Sequence, residues 1–324
     1  MQSVRNLARG EDAASSNQRA QGECIICGHD RGSILTEDPR RLLECRNCGF
    51  VYADPKPSPA ELAAYYGSGS EDGASEGANA GGSWFTRLVA RALLARERLH
   101  RQRLALAGER VRRLAQLLPL APGSTLVDVG CGRGEFLHTL DVRHLGLSLI
   151  GIEPSSEDAR YARDVYGLNV REAMLEEIAD VPKADVVTMF HILEHVHDPV
   201  VALRRAGALL AEEGILVVEV PNMTLSRMGL PFGGKILFPG YHSPEHLWHF
   251  TPRSLEALIT KQGFRQVTIT TYTFGLYPLL DLVALGVNSR MWQRVYFSLA
   301  RLLTWPLSAR GAGLGVMAVA RMGK

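Results

Sequence analysis

The sequence predicts an α/β fold with a mostly parallel sheet, preceded by a small cysteine-containing module. Three observations support this prediction. From Ser124 onward, short apolar strand patterns alternate with amphipathic helix patterns, which is typical of βα units. One of these strands, "TLVDV", runs into a glycine-rich turn, a feature of the ligand-binding edge of open α/β sheets. Ahead of this region, four cysteines form two C-x-x-C pairs.

The length and the amino-acid composition are those of an ordinary globular protein. The chain has 324 residues, 46% of them hydrophobic, so it can bury a large core. A formal net charge of +2 by itself indicates neither a nucleic-acid partner nor a membrane. The first twenty residues are polar and small and lack the apolar stretch of a signal peptide. We therefore expect a cytoplasmic protein whose five cysteines are reduced.

Composition divides the chain into four parts. They are a disordered tail at 1–20, a cysteine module at 21–66, a Gly/Ser-rich flexible linker at 67–83 and the α/β domain at 84–324. This last part contains an apolar helical insert at about 276–308. Its apolar stretches are either too short to span a bilayer or interrupted by charged residues. Core or dimer packing is the simplest interpretation of the insert, and peripheral membrane contact is the alternative.

The elements of the α/β domain follow in order. An Arg-rich helical pattern covers about 84–118, and it is either a solvated face or a guide for an anionic substrate or lipid surface. The following helices have clear start signals: Ser155 or Ser156 as one N-cap, Asp198 before Pro199 as another, and Thr251 as a third. Gly214 is expected just past the end of the helix that Asp198 caps. The predicted strands are "STLVDV", "LSLIGIE", "LNVRE", "ADVVTMF", "ILVVEVPN", "RQVTITTY" and "GLGVMAVARM".

The glycine turn is the main functional signal. Asp128 ends the apolar run, and glycines then alternate at 130, 132 and 134, so that the backbone can approach a ligand closely. The spacing departs from the dinucleotide pattern G-x-G-x-x-G, because the third glycine comes one residue early and Glu135 follows it. About 20 residues further on, Glu153 ends the next strand, where a carboxylate can accept hydrogen bonds from both hydroxyls of a ribose.

This D-x-G-x-G-x-G turn with its distant acid resembles the first motif of class I S-adenosylmethionine-dependent methyltransferases. The resemblance implies a Rossmann-like sheet with one antiparallel strand near the C-terminus. It also implies a set of cofactor-binding residues: Asp128, Gly130, Cys131, Gly132, Gly134, Glu153, Pro154, Ala173, Met174 and Phe190. Cys131 is expected there as a small residue of the turn. The segment "FHILEHVHDP" resembles the E-H-x-x-D-P segment of small-molecule methyltransferases, and "VPN" and "HLWHFTPRSLEALITKQGF" resemble the same subgroup.

The cysteine module fits a structural zinc site. Cys24, Cys27, Cys45 and Cys48 form two pairs whose separation falls in the range of roughly 15–20 residues used by four-thiolate zinc sites. Four thiolates would leave the metal no open position for chemistry. An iron–sulfur centre and disulfides are the alternatives. Similar ribbons precede the catalytic domain of bacterial methyltransferases that act on sugars, and loss of Cys24 is expected to unfold only this module.

Methyl transfer to a hydroxyl or a carbon acid needs a base, and two histidine runs are candidates. We expect His195 to be the general base, with Glu194 or Asp198 orienting it or the loop, and His191 as the second candidate. Asn222, His246 and His249 are expected to contact the substrate, although both histidines could instead be structural. A metal site built from these histidines is compatible with their chemistry, but their spacing does not specify one. Glu219 could be a buried, hydrogen-bonded acid.

The sequence therefore predicts an enzyme that transfers a methyl group from S-adenosylmethionine to a small molecule, a sugar or glycan, at oxygen or carbon. An RNA methyltransferase that uses the zinc ribbon and the Arg-rich helix is a first alternative. A non-catalytic binding protein that keeps the cofactor fold is a second alternative.

Overall fold

The computed structural model describes residues 23–29, 32–36, 41–58, 60–62, 100–224 (without 102, 119, 144, 145 and 179), 246–272 and 308–323. The predicted tail at 1–20, the linker at 67–83 and the insert at about 276–308, apart from its last residue, lie outside these residues.

The strands of the described residues form two sheets. They are β1 (Gly32–Thr36), β2 (Leu42–Cys45), β3 (Val51–Ala53), β4 (Thr125–Val129), β5 (Ser148–Glu153), β6 (Val170–Glu172), β7 (Ala184–Phe190), β8 (Leu210–Pro221), β9 (Trp248–His249), β10 (Phe264–Tyr272) and β11 (Gly315–Met322). The larger sheet has the order β10-β11-β8-β7-β4-β5-β6. Strands β4 to β8 pair in parallel, whereas β11 is antiparallel to both of its neighbours. The expected sheet, with one antiparallel strand near the C-terminus, is confirmed.

Helices connect these strands, and their starts follow the sequence signals. They are α1 (103–117), α2 (Glu135–Asp141), α3 (Ser156–Tyr166), α4 (Pro199–Leu209) and α5 (Pro252–Lys261), with a single 3₁₀ turn at Leu175–Glu177. Ser155 caps α3, Asp198 caps α4 by accepting from two main-chain N–H groups, and Thr251 caps α5 within a capping box. Each cap satisfies donors that the first helical turn leaves without an intrahelical partner.

The end of α4 differs from the prediction. The helix stops at Leu209 and β8 begins at once with Leu210, which pairs with Ala184 of β7. Gly214 therefore lies inside β8 rather than past a helix end. A side chain at Gly214 would approach the main-chain oxygen of Ala184 to 2.8 Å, so the close strand contact requires glycine.

Both faces of the large sheet are covered. Along β8, Leu216, Val218 and Val220 pack into one hydrophobic cluster, while Ile215 and Val217 pack into the other. This arrangement explains why the strand is apolar throughout rather than alternating, as expected for a strand buried on two faces. It also leaves the carboxyl ends of the parallel strands as the edge at which polar side chains gather.

The small sheet joins the cysteine module to the rest of the chain. Its order is β1-β2-β3-β9, so its last strand comes from the segment after β8. Tyr52 pairs with Trp248, and the ring of Phe50 lies 6.2 Å from the ring of Trp248 and 5.5 Å from that of Phe250. The module therefore shares a strand and an aromatic core with the α/β domain. The expectation that losing the metal would unfold the module alone stays untested, and the shared strand leads us to expect an effect on β9 as well.

Among the described residues, no helix combines the length and the apolar character needed to cross a membrane.

Candidate active site

The glycine turn follows β4 at the carboxyl edge of the sheet. Gly130, Gly132 and Gly134 have φ values of 69°, 54° and 83°, which favour glycine over other residues. A side chain at Gly130 would collide with Ile192, and one at Gly134 would lie 2.5 Å from Leu168. At Gly132, in contrast, no atom of the described residues lies within 4 Å of the site of a Cβ, so among these residues the turn is open on that side. The open face of the turn fits a ligand that approaches the backbone.

Glu153 holds the turn from the neighbouring strand. Its Oε2 accepts from the Gly132 N–H and its Oε1 accepts from the Ser155 N–H, both at 2.8 Å. Burial raises the pKa of Glu153, and the two hydrogen bonds from the main chain act against that rise. Each carboxylate oxygen keeps a further lone pair, so Glu153 can still accept from ligand hydroxyls.

Asp128 lies below the turn and is buried. Its Oδ1 accepts a 2.6 Å hydrogen bond from the hydroxyl of Thr188 on β7. Burial raises the pKa of Asp128 to about 7, although this hydrogen bond and the charge of Arg110 act to lower it. Asp128 therefore bonds to the neighbouring strand, and Thr188 is a partner that the sequence pattern did not identify.

The other cofactor candidates lie around this turn. Cys131 directs its side chain into the core, because a Cβ at Gly151 would come within 2.5 Å of its Sγ. Pro154, Ala173 and Met174 are partly exposed at the same edge. Phe190 is buried at the end of β7, with its ring edge-on to that of Phe136 at 4.8 Å.

Next to the turn lies a buried charged network. Glu219 is fully buried on β8, and Arg110 of α1 donates to its Oε1 from Nη2 at 2.6 Å and from Nε at 2.9 Å. His191 faces the same oxygen through Nε2 at 3.2 Å and faces Oε1 of Glu194 through Nδ1 at 3.1 Å. His191 has a φ of 56° in the left-handed region, and its main-chain N–H donates to the main-chain oxygen of Glu219 at 2.8 Å. Two carboxylates thus enclose one imidazole.

The electrostatics of this network determine its protonation. Burial acts to lower the pKa of His191, but its hydrogen bonds to Glu194 and Glu219 raise it to about 9. Burial acts to raise the pKa of Glu219, but Arg110 and His191 lower it to about 2. His191 is therefore an imidazolium at neutral pH, with both nitrogens donating. A protonated histidine held by two carboxylates fits a positioning role better than that of a base, and the place of His191 as second candidate base stays a prediction.

Glu194, His195 and His246 gather beside this network. Glu194 is 1% exposed, and its Oε1 lies 3.9 Å from Nε2 of His195. Burial acts to raise the pKa of Glu194, but the hydrogen bond from His191 and the charges of the surrounding histidines lower it. The rings of His195 and His246 lie 4.7 Å apart at 78°. The structure thus places the predicted base beside a carboxylate that can stabilise its protonated form.

The remaining substrate candidates differ in their surroundings. His249 is buried in β9 opposite Val51, and burial together with the charge of His246 lowers its pKa to about 3, so it is neutral. Asn222 donates to the oxygens of Gly311 and Gly313, and its Oδ1 accepts from the Thr224 N–H. These bonds give Asn222 a role in fixing the chain after β8.

The four module cysteines form a compact cluster. Cys24 Sγ lies 3.5 Å from Cys48 Sγ, and Cys27 Sγ lies 3.5 Å from Cys45 Sγ. All four sulfurs lie within 4.8 Å of one another. A tetrahedral zinc site with bonds of about 2.3 Å needs sulfurs about 3.8 Å apart, so the cluster fits zinc. The separations are too long for disulfide bonds, and all five cysteines of the chain are free thiols.

Comparison with known proteins agrees with this geometry. Residues 98–269, more than half of the chain, match the family described as "Methyltransferase domain". The chain belongs to this family. The expectation of a methyltransferase is thereby confirmed at the level of the family.

Two curated relatives of this methyltransferase-family chain are both named ubiquinone biosynthesis O-methyltransferase. The protein from Azorhizobium caulinodans is 30% identical over 47% of the chain and 63% of its own length. The protein from Rhodopseudomonas palustris (strain TIE-1) is 30% identical over 52% of the chain and 68% of its own length. The chain thus spans about two thirds of these relatives.

Solved structures with a similar fold include two methyltransferases. The S-adenosylmethionine-dependent methyltransferase from Archaeoglobus fulgidus has a TM-score of 0.47 and 23% identity, covering 67% of this chain and 94% of that one. A possible histamine N-methyltransferase from Thermotoga maritima has a TM-score of 0.45 and 18% identity, covering 73% and 95%.

Proposed function

We propose that this protein transfers the methyl group of S-adenosylmethionine to a hydroxyl oxygen of a small-molecule acceptor, a sugar or glycan. Three findings support the cofactor: membership of the methyltransferase family, the open turn at Gly132, and the acid at Glu153. The names of the curated relatives support transfer to oxygen.

The observation that carries the proposal is the contact between Gly130 and Ile192. The Ile192 side chain fills the space that a Cβ at Gly130 would take. Ile192 belongs to the segment that also bears Glu194 and His195, so the cofactor turn contacts the segment that carries the proposed base. In-line displacement requires this proximity, since the acceptor must lie between the methyl carbon and the base.

The residues of the chain then have separate tasks. Bound S-adenosylmethionine supplies an electrophilic methyl group on its sulfonium. The glycine turn and Glu153 would hold the amino-acid and ribose portions. His195 takes the proton from the acceptor hydroxyl as the oxygen attacks, and the Glu194 carboxylate stabilises the imidazolium that forms. His191 keeps Glu194 in place through its 3.1 Å hydrogen bond.

We further propose that the cysteine module holds a structural zinc ion through Cys24, Cys27, Cys45 and Cys48, in support of which all four sulfurs converge. Four thiolates complete its coordination, so the zinc stabilises the module and takes no part in the chemistry.

A second acceptor class has its own support. Both curated relatives carry a name from ubiquinone biosynthesis, which points to an aromatic hydroxyl as the alternative acceptor. An RNA acceptor has less support in the described part of α1, because Arg110, Arg112 and Arg113 pair there with buried glutamates.

The test is a transfer assay with methyl-labelled S-adenosylmethionine and a panel of nucleotide sugars, glycans, catechols and RNA. His195→Gln should lower the rate by about 100-fold or more while cofactor affinity, measured by calorimetry, stays unchanged. The matched control is His197→Gln, because the charged groups that act on the pKa of His197 are Lys56, Asp198 and Glu176. A fully active His195→Gln variant would remove the proposed base. Cofactor binding without transfer to any acceptor would favour the non-catalytic alternative.

A further inference from the structure

Glu194 has a buried oxygen that the described residues leave without a hydrogen bond. Its Oε1 is engaged by His191, but its Oε2 has no hydrogen-bond partner among the described residues although the side chain is 1% exposed. Leaving a buried carboxylate oxygen unsatisfied is costly, so such an atom calls for a partner beyond the described residues, and a bound metal ion is one that carries the right charge.

Two imidazoles share the space around Glu194. One ligand atom each from Glu194, His195 and His246 lies within 4.8 Å of the other two. Two histidines and a carboxylate are a typical ligand set for zinc and other divalent transition metals, and the imidazoles disfavour magnesium and calcium. Ligand atoms around a tetrahedral zinc lie about 3.4 Å apart, so small side-chain rotations would close the site.

The main chain holds the two histidine-bearing segments together. The main-chain oxygen of Glu194 accepts from the N–H of Leu247 at 2.8 Å and from that of Trp248 at 3.2 Å. The indole Nε1–H of Trp248 donates to the oxygen of Val196 at 2.7 Å. These bonds hold the main chain near His195 and His246 close to that of Glu194, so that only side-chain rotations remain when a metal binds.

We propose that Glu194, His195 and His246 form a second metal site, separate from the four cysteines, which binds a divalent transition metal such as Zn²⁺ and blocks methyl transfer while it is occupied. The blocking effect rests on the proposed function, because a nitrogen lone pair that coordinates a metal cannot accept a proton. Binding of the metal stands independently of that function.

The binding experiment uses full-length protein whose cysteine cluster already holds one equivalent of zinc, as measured by elemental analysis. Titration with Co²⁺ then reports the second site through d–d absorption without the thiolate charge-transfer bands of a cysteine site, and equilibrium dialysis measures Zn²⁺. We expect one further equivalent in the wild type. We expect at least tenfold weaker binding in His246→Gln and unchanged binding in the control His197→Gln. Absence of the further equivalent, or its persistence in His246→Gln, would contradict the site.

The activity experiment uses whichever acceptor the panel identifies. The wild-type and His197→Gln rates should fall in proportion to occupancy of the second site and recover when a mild chelator removes that metal. The His246→Gln variant, compared with its own metal-free rate, should resist the same Zn²⁺ concentration. A bound metal that leaves the rate unchanged or raises it would overturn the block. If no acceptor is found, the proposed function fails while the Co²⁺ spectrum still decides the metal site.

Discussion

The main-chain N–H of Leu247 donates to the main-chain oxygen of Glu194 at 2.8 Å, and this bond connects the proposed catalytic segment to the cysteine module. The oxygen of Leu247 in turn accepts from the N–H of Ala53, also at 2.8 Å. A single residue thus bridges the end of β3 and the loop after β7. The module is part of the framework that positions Glu194 and His195.

We predict that Cys45→Ser impairs catalysis as well as zinc binding. Cys45 ends β2, which pairs with β3, and β3 pairs with β9. Loss of zinc should therefore loosen β9 and the segment around Glu194, which hydrogen-exchange mass spectrometry would show as faster exchange at 194–196 and 247–249. Turnover should fall more than cofactor affinity, because Glu153 of β5 holds the glycine turn through the Gly132 N–H, and β9 does not.

The control for zinc content is Cys131→Ala, which removes a thiol from the core and should leave the zinc in place. A zinc-free Cys45→Ser protein with full turnover and unchanged exchange would contradict the coupling between the module and the site.

Glu153→Gln should weaken cofactor binding by at least about tenfold. A glutamine has only one acceptor oxygen, so its NH₂ would face either the Gly132 or the Ser155 N–H, and one acceptor for the ribose is lost. Calorimetry with S-adenosylmethionine measures the change. The matched control is Glu172→Gln at the end of β6, where the exposed side chain bonds to Arg163 and Ser156. Equal affinities of both variants would argue against the ribose assignment.

Arg110→Met should destabilise the protein by about 3 kcal/mol or more, because it leaves the fully buried Glu219 without its guanidinium partner. Urea unfolding measures the free energy. Adding Glu219→Gln to Arg110→Met should recover part of the loss, since it removes the buried charge. The control is Arg112→Met on the same helix, whose more exposed side chain pairs with Glu109 and should matter by less than about 1 kcal/mol. Similar losses for both single variants would refute a special role for Arg110.

Asp128 makes stability depend on pH in a defined direction. Burial raises its folded pKa to about 7, above the unfolded value of about 3.9. The folded state therefore binds the proton more tightly, so the contribution to stability is complete below about pH 4 and is lost as the pH rises through 7. Without cofactor, the melting temperature of the wild type should decline relative to Asp128→Asn across this window. If the melting temperatures of the two proteins changed in parallel from pH 4 to 8, the raised pKa of Asp128 would be disproved.

Much of the α/β domain could be predicted from local sequence. The helix caps at Ser155, Asp198 and Thr251 act within a few residues, and the glycine turn requires its backbone angles locally. The pairing of Arg110 with Glu219 could not be predicted, because it joins residues far apart in the chain and α1 carries many arginines. The end of α4 could not be predicted, because both Leu209 and Leu210 are residues that favour a helix. The pairing of Leu210 with Ala184 decides where the strand begins.

The closing of the small sheet by β9 also affects the order in which the protein can fold. During synthesis, β1 to β3 leave the ribosome long before Trp248 and His249. Until β9 follows, one edge of β3 therefore has no paired strand. The cysteine cluster comes entirely from the first part of the chain. The sheet beside it is complete only when β9 has been added. A nascent or truncated chain that ends before β9 would therefore keep all four cysteines yet expose the unpaired edge of β3, and it should be prone to aggregate.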